Sequence, residues 1–294
     1  MKAQKEINES QKDCGRVAAF FDLDGTLLPG PSLEKRFYRA LRYRREVGVR
    51  NYLQWVAEAV RLLRRGSRHI VQANKMYLRG VQILDQSYGK NSQALPWHGD
   101  GHQAGGQAGA LPRRNPRLPV PGFFAEAVDR VAWHAEQGHA IVLVSGTLEP
   151  LARGAAQALV VFLGLRGIAA AIGVCATRLE TLDRNWTGRI VGEAMFGEAK
   201  AQAISRIRTD LGLDLTRCFA YGDGVNDVKM LEAVGKPAAV NPSIGLRRIA
   251  RRKEWPVLHW GMEKDLTRNT PGAQRAEESE HRLEAILANA GNGK

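Results

Sequence analysis

The chain has 294 residues, enough for one large domain plus a smaller one, and an apolar fraction of 44% excludes a globally disordered polymer. A formal net charge of +13 implies anionic partners: a phosphorylated substrate, nucleic acid or an acidic membrane surface. Cys14, Cys175 and Cys218 are few, odd in number and widely spaced, which suggests reduced thiols rather than a disulfide framework or a zinc site, and the opening "MKAQKEINESQKDCGR" has no apolar h-region, so a cytoplasmic protein is expected. In chain order, "RVAAFFDLD" reads first as a continuous apolar strand of the kind buried on both faces of a parallel sheet. Residues 31–85 then change character, with apolar residues at helical spacing in "LEKRFYRALRYRREVGV" and "NYLQWVAEAVRLLRRG". Leu53, Val56, Val60 and Leu63 form one stripe of this helical insertion. Between Glu34 and Arg79, thirteen Lys and Arg face only Glu34, Glu46 and Glu58, a pattern expected of a solvated helical face.

Residues 86–120 are rich in Gly and Pro and lose apolar periodicity, which predicts a flexible loop. His98, Asp100 and His102 fall there, in a tract with no rigid frame for a metal. From residue 121 to 262 strands and helices alternate. "FFAEAVDRVAWHAEQG" is a helix with Phe124, Val128, Val131 and Ala135 on one face, and "AIVLV" a buried strand ending at Ser145. "AAQALVVFLGLRGIAAAIGVCA" reads as a buried helix, a turn near Gly167 and a buried strand; a membrane span would place Arg166 near the bilayer centre at about 2.5–3.5 kcal/mol. "GVCATRLE" and "WTGRIVG" flank "TLDRN" as a strand pair. "GEAKAQAISRIRTDLG" and "VNDVKMLEAVG" are helices, "RCFAYGD" and "PAAV" strands, and "PVLHW" a further strand candidate. This alternation predicts an α/β fold, a Rossmann-like parallel sheet core covered by helices, with a helical cap inserted after the first strand. The tail, residues 263–294, is expected to be mobile or loosely docked.

In such sheets chemistry lies beyond the carboxyl ends of the strands, where Asp22, Ser145 and Asp223 fall. Phosphoryl transfer needs a nucleophile, charge neutralisation, a metal and a proton for the leaving group. In "DLDGT" Asp22 can attack phosphorus, and Asp24 can protonate the leaving oxygen and then deprotonate water. Gly25 allows an immediate turn, which the Thr26 hydroxyl can hold by a local hydrogen bond. Ser145 and the Gly146 amide suit phosphate oxygens, and Lys200, in the first turn of its helix, can reach the same oxygens as a point charge. In "YGDGVND", Asp223 and Asp227 with Asn226 between them form a hard-oxygen cluster suited to Mg²⁺. Each piece alone has a plainer reading as a turn, a surface lysine or a capped helix start; their order and placement together do not.

This four-part set resembles the haloacid dehalogenase superfamily, and within it the phosphoserine-phosphatase-like branch, over residues 17–28 and about 121–260. The resemblance implies Asp22 as nucleophile, Asp24 as general acid/base, Thr26 as loop support, and Ser145, Gly146 and Lys200 as phosphate binders. It also implies Mg²⁺ held by Asp22, the Asp24 carbonyl and Asp223, with Asp227 and Asn226 as further or supporting groups. An acid at position 24 favours a phosphatase or phosphomutase over a dehalogenase or P-type ATPase, and a water-accessible phosphoenzyme favours the phosphatase. Gly25, Thr147 and the late Glu34 depart from the branch's pattern, so serine specificity does not carry over. Arg36, Arg39 and Arg42 are cap candidates for the far end of a small phosphorylated substrate. Nucleic acid is the less favoured partner and an anionic membrane surface remains open, as an alternative role or as the location of a phospholipid headgroup substrate. Substrate identity and oligomeric state are not legible.

Overall fold

The computed structural model describes residues 15–63, 74–82 and 122–261. The Gly/Pro-rich stretch, the His98–Asp100–His102 group and the C-terminal tail lie outside them. Six strands form one sheet: β1 (Ala18–Phe21), β2 (Ala140–Leu148), β3 (Ile172–Thr177), β6 (Phe219–Gly222), β7 (Lys236–Val240) and β8 (Val257–Leu258). Their order is β3-β2-β1-β6-β7-β8 and every neighbouring pair is parallel. Parallel pairing requires crossovers, and helices supply them: α3 (Ala125–Glu136) enters β2, α4 (Glu149–Leu165) returns to β3, and α5 (Glu198–Leu211), α6 (Val228–Glu232) and α7 (Ile244–Arg252) precede β6, β7 and β8.

Alternation along β1 divides the core. Ala19 and Phe21 pack on one face with Val128 and Val131 of α3 and Leu159 of α4. Ala18 and Phe20 pack on the other with Ile204 and Ile207 of α5, Met230 and Leu231 of α6, and Leu246 of α7. All four β1 residues are fully buried, which is why the strand reads as an unbroken apolar run. The segment read as a helix, turn and strand is α4 followed by β3, and Arg166, just past α4, pairs with Asp129 at 2.5 Å. Among the described residues no helix is long and apolar enough to cross a membrane.

Two sequence expectations need correction. "GVCAT" belongs to β3 at the edge of the main sheet; the hairpin is β4 (Leu179–Leu182) with β5 (Asn185–Ile190). Its turn is Asp183–Arg184, with φ of +48° and +62°, the double left-handed pair that matches hairpin twist. Strand β2 also runs on past Ser145 to Leu148, with a register shift between those residues.

After β1 the chain forms α1 (Leu33–Tyr43) and α2 (Val49–Leu62). Helix α1 starts at Ser32, whose Oγ accepts from the Lys35 amide, and it buries Leu33, Phe37 and Leu41, one stripe at four-residue spacing. Helix α2 is the reverse. Its apolar stripe points outward: Leu53, Val56, Val60 and Leu63 are 52–66% exposed, and Val49, on the same side, is 75% exposed. The inward side carries Asn51, Trp55 and Leu62. Asn51 Nδ2 donates to the carbonyls of Tyr77 and Arg79, and Asn74 Nδ2 donates to the Trp55 carbonyl. Polar anchoring to residues 74–82, rather than apolar burial, sets the rotation of α2. The hairpin joins this unit, since Trp186 exchanges backbone hydrogen bonds with Gly80 and Val81 and meets Phe37 edge-to-face.

Candidate active site

The parallel register brings the motifs to one end of the sheet. Phe21 is level with Leu143 on β2 and with Tyr221 on β6. One step further Asp22 leaves β1, its amide donating to the Tyr221 carbonyl at 2.9 Å. Ser145 and Asp223 lie just beyond the same level on the two flanking strands. The hinge is Gly25: its φ is +92°, and a Cβ there would stand 2.3 Å from Asp223 Oδ2, so only a glycine lets the two loops touch. The loop closes through Gly25 N–H to the Leu28 carbonyl at 2.8 Å.

Lys200 is the electrostatic hub. It is 1% exposed, and its Nζ donates to Asp22 Oδ1 at 2.5 Å and to Asp227 Oδ1 at 2.6 Å. It sits in the first turn of α5, which is fixed by the Gly197 amide donating to the Asn226 carbonyl. Asp22, Asp223 and Asp227 each place a carboxylate oxygen within 4.8 Å of the others. Burial pushes the Asp22 carboxyl well above its ordinary range, and Asp227 and Asp223 add to this against the opposing pull of Lys200. Burial, then Asp227, raises Asp223 to about 7. Burial lowers the basicity of Lys200, but Asp22 and Asp227 together outweigh it and hold the ammonium charged.

One ammonium does not balance this many carboxylates. The donors are hard oxygens with no nitrogen or sulfur among them, the set that suits Mg²⁺, so the residues fit that ion. Asp227 is the least free of the three. Its Oδ1 is taken by Lys200, and its Oδ2 accepts from the amides of Asp223 at 3.1 Å and Gly224 at 2.9 Å. Its evident work is to hold Lys200 and the Asp223 turn in place.

Asp24 stands slightly apart. Its Oδ1 accepts from the Leu33 amide at 2.8 Å, so the first turn of α1 seats on this carboxylate. Burial raises its pKa, and the amide bond partly offsets the rise. A carboxyl that holds its proton more tightly than usual suits a general acid.

Ser145 is buried at 1% exposure and accepts from the Thr147 amide at 3.3 Å. Gly146 passes so close to Phe196 that a Cβ would stand 2.2 Å from the ring. Thr26 is fully buried, but its hydroxyl has no hydrogen-bond partner among the described residues, contrary to the expected local bond. Asn226 is exposed and reaches the site through its backbone carbonyl. Of the cap arginines, Arg36 donates to the Pro29 and Pro31 carbonyls, while Arg39 and Arg42 are exposed.

Sequence reading missed several supports. Thr177, at the end of β3, donates to the Gly146 carbonyl at 2.8 Å and accepts from the Met195 amide, tying the Ser145 loop to the segment that precedes α5. A threonine closing a buried strand beside Ser145 was the available signal. Glu34 accepts from Lys75 Nζ at 2.5 Å and from the Tyr77 hydroxyl. No local pattern announces that pair across forty residues of chain.

A parallel sheet with an acidic, lysine-bridged site at its carboxyl edge has counterparts among known proteins. The model of the haloacid dehalogenase-like hydrolase family matches residues 19–232, and the chain belongs to that family. A Mycobacterium tuberculosis protein named "Probable phosphatase" is 31% identical over 265 residues, spanning 89% of this chain and 81% of its own length. The phosphoserine phosphatase SerB1 of the same organism is 28% identical over 252 residues, 86% of this chain and 73% of its own. A crystal structure from Bordetella pertussis Tohama I, a protein of unknown function, superposes with a TM-score of 0.55 at 26% identity, covering 83% of this chain and 98% of that one.

Proposed function

We propose that the chain is a Mg²⁺-dependent phosphomonoesterase, working in the cytoplasm on a small anionic phosphomonoester through an aspartyl phosphate on Asp22. The observation that carries this reading is the position of Lys200, buried between Asp22 and Asp227 beside Asp223. Lys200, Ser145 and the amides around Gly146 bind the phosphoryl oxygens and spread their charge. Asp22 attacks phosphorus as the ester oxygen departs, and that oxygen takes its proton from Asp24. Asp24, now a carboxylate, removes a proton from water, which attacks the same phosphorus; inorganic phosphate leaves and Asp22 is regenerated. Asp22, Asp223 and the Asp24 carbonyl would hold Mg²⁺, which would supply charge neutralisation for the carboxylates and the phosphoryl group.

Glu34 bears on the substrate. Its carboxylate is already paired with Lys75 and Tyr77, so an ammonium substrate would have to displace Lys75. A substrate without an amino group fits better, with the exposed Arg39 and Arg42 as candidates to meet its far end. Asp22→Asn should lower turnover of an aryl phosphate by at least about 10³-fold, with an unchanged circular dichroism spectrum. Wild-type turnover by that variant, or full activity of the native enzyme in chelator, would refute the mechanism.

A second reading adds a location. The exposed apolar stripe of α2 follows in the chain on Arg44, Arg45 and Arg50, all exposed, a combination of apolar and cationic side chains that suits an anionic lipid surface. Co-sedimentation with anionic but not neutral vesicles, abolished by Leu53→Glu/Val60→Glu, supports it; equal recovery in the supernatant with both vesicles rejects it.

A further inference from the structure

We propose that the amino-terminal end of the sheet, the pole opposite the active site, carries a second anion site in which His139, Arg217 and Lys236 bind a small oxyanion of the phosphate or sulfate type. A cavity of about 220 Å³ opens there. His139 stands just ahead of β2, Arg217 just ahead of β6, and Lys236 opens β7, so three neighbouring loops converge on it. Among the described residues the lining contains two permanent cations and an imidazole and no carboxylate; the Arg217 guanidinium is held from one side, its Nη1 donating to the Gly15 carbonyl at 3.4 Å, and its charge bears on Asp214. Lys236 has no carboxylate partner among the described residues; its Nζ rests 4.6 Å from the centre of the Phe219 ring.

The walls are already ordered. His139 stacks on Phe219 with ring centres 5.5 Å apart, and Trp133 meets both rings edge-on at 5.7 and 5.8 Å. A ligand therefore need not freeze those rings on arrival, which removes part of the usual entropic opposition to binding.

The histidine gives the site a polarity and a route inward. His139 Nδ1 lies 2.8 Å from Nδ1 of His134, and Nε2 of His134 lies 3.0 Å from the Tyr221 hydroxyl. His134 is completely buried, so this chain of three groups is shielded from water at its centre. His139 Nε2 has no protein partner among the described residues. An anion accepting from His139 Nε2–H leaves Nδ1 of the neutral ring as acceptor. His134 must then donate through Nδ1 and accept, through Nε2, from Tyr221. Occupancy of the cavity thus selects one of two proton arrangements in the row. Tyr221 stacks face to face on Phe21, with ring centres 4.6 Å apart, and these rings immediately precede Asp22 and Gly222–Asp223. The site stands independently of the phosphatase reading.

The test uses the full chain with Mg²⁺ chelated, so that the active-site carboxylates repel anions, at ionic strength held constant with chloride. Inorganic phosphate and sulfate are titrated against the native protein and against Arg217→Gln/Lys236→Gln. Both substituted side chains are exposed, and the variant is expected to fold. At tenfold the dissociation constant the melting temperature of the native protein should rise by about 3 °C, and the variant should show no rise. In the native protein the ring-nitrogen NMR signals of His139 and His134 should move together with the titration. An equal thermal shift in both proteins, no shift in either, or histidine signals that stay fixed would each overturn the proposal.

Discussion

Helices α3 and α2 carry similar apolar stripes and meet opposite fates. Helix α3 turns Val128 and Val131 into the core, whereas α2 turns Val49, Leu53, Val56, Val60 and Leu63 into solvent. Periodicity reports that a helix has an apolar side; it does not report which side the rest of the chain covers. For α3 the sheet beside it decides, because β1 and β2 need an apolar cover. For α2 the decision falls to Asn51 and Asn74, which anchor the other side through backbone carbonyls. The active site belongs with the first case, since its parts are placed by the same sheet that orients α3.

Four experiments sharpen or break this contrast. The largest effect is expected from Lys200→Met, which strips the sole ammonium from between Asp22 and Asp227. Without Mg²⁺ the loss should be about 3–5 kcal/mol by denaturant titration, and Mg²⁺ should restore part of it. A loss under 1 kcal/mol would mean that the buried carboxylates do not repel as placed. Next come paired truncations of equal size. Leu159→Ala in the core should cost about 2–5 kcal/mol, and Leu53→Ala on α2 within about 0.5 kcal/mol. Comparable losses at the two positions would show that the α2 stripe is covered in solution.

Gly25→Ala should cost about 1–2 kcal/mol and lower activity, because a side chain there is strained and collides with Asp223. Undiminished activity would separate the two loops. The smallest effect concerns pH. Asp223 has its folded pKa raised to about 7, so the folded state binds that proton more tightly than the unfolded chain. The associated stability is fully present below about pH 4 and is lost as pH rises through 7 in chelator. Saturating Mg²⁺ should flatten or reverse that slope, and denaturation midpoints from pH 4.5 to 7.5 would show it.

Much of the candidate site was legible because each part is a short local signal at a strand end or a helix start: Asp22 and Asp24, Ser145, Lys200 in the first turn of α5, Asp223 with Asp227. The alternation of elements was enough to place them on one sheet edge. What stayed hidden depends on partners distant in sequence. The loop tie from Thr177 to Gly146, the pairing of Glu34 with Lys75, and the docking of Trp186 on residues 80–81 each need the folded chain to exist first. The hairpin was misjudged for the same reason: "GVCAT" pairs with β2 rather than with its sequence neighbour.

The contact between the Leu33 amide and Asp24 ties the proton affinity of that carboxylate to the seating of α1. Any tilt of α1 that breaks it removes a hydrogen bond that lowers the pKa of Asp24, so the carboxyl would hold its proton more tightly still. Under the proposed mechanism, the seating of α1 and the readiness of the acid to surrender its proton would then be a single event.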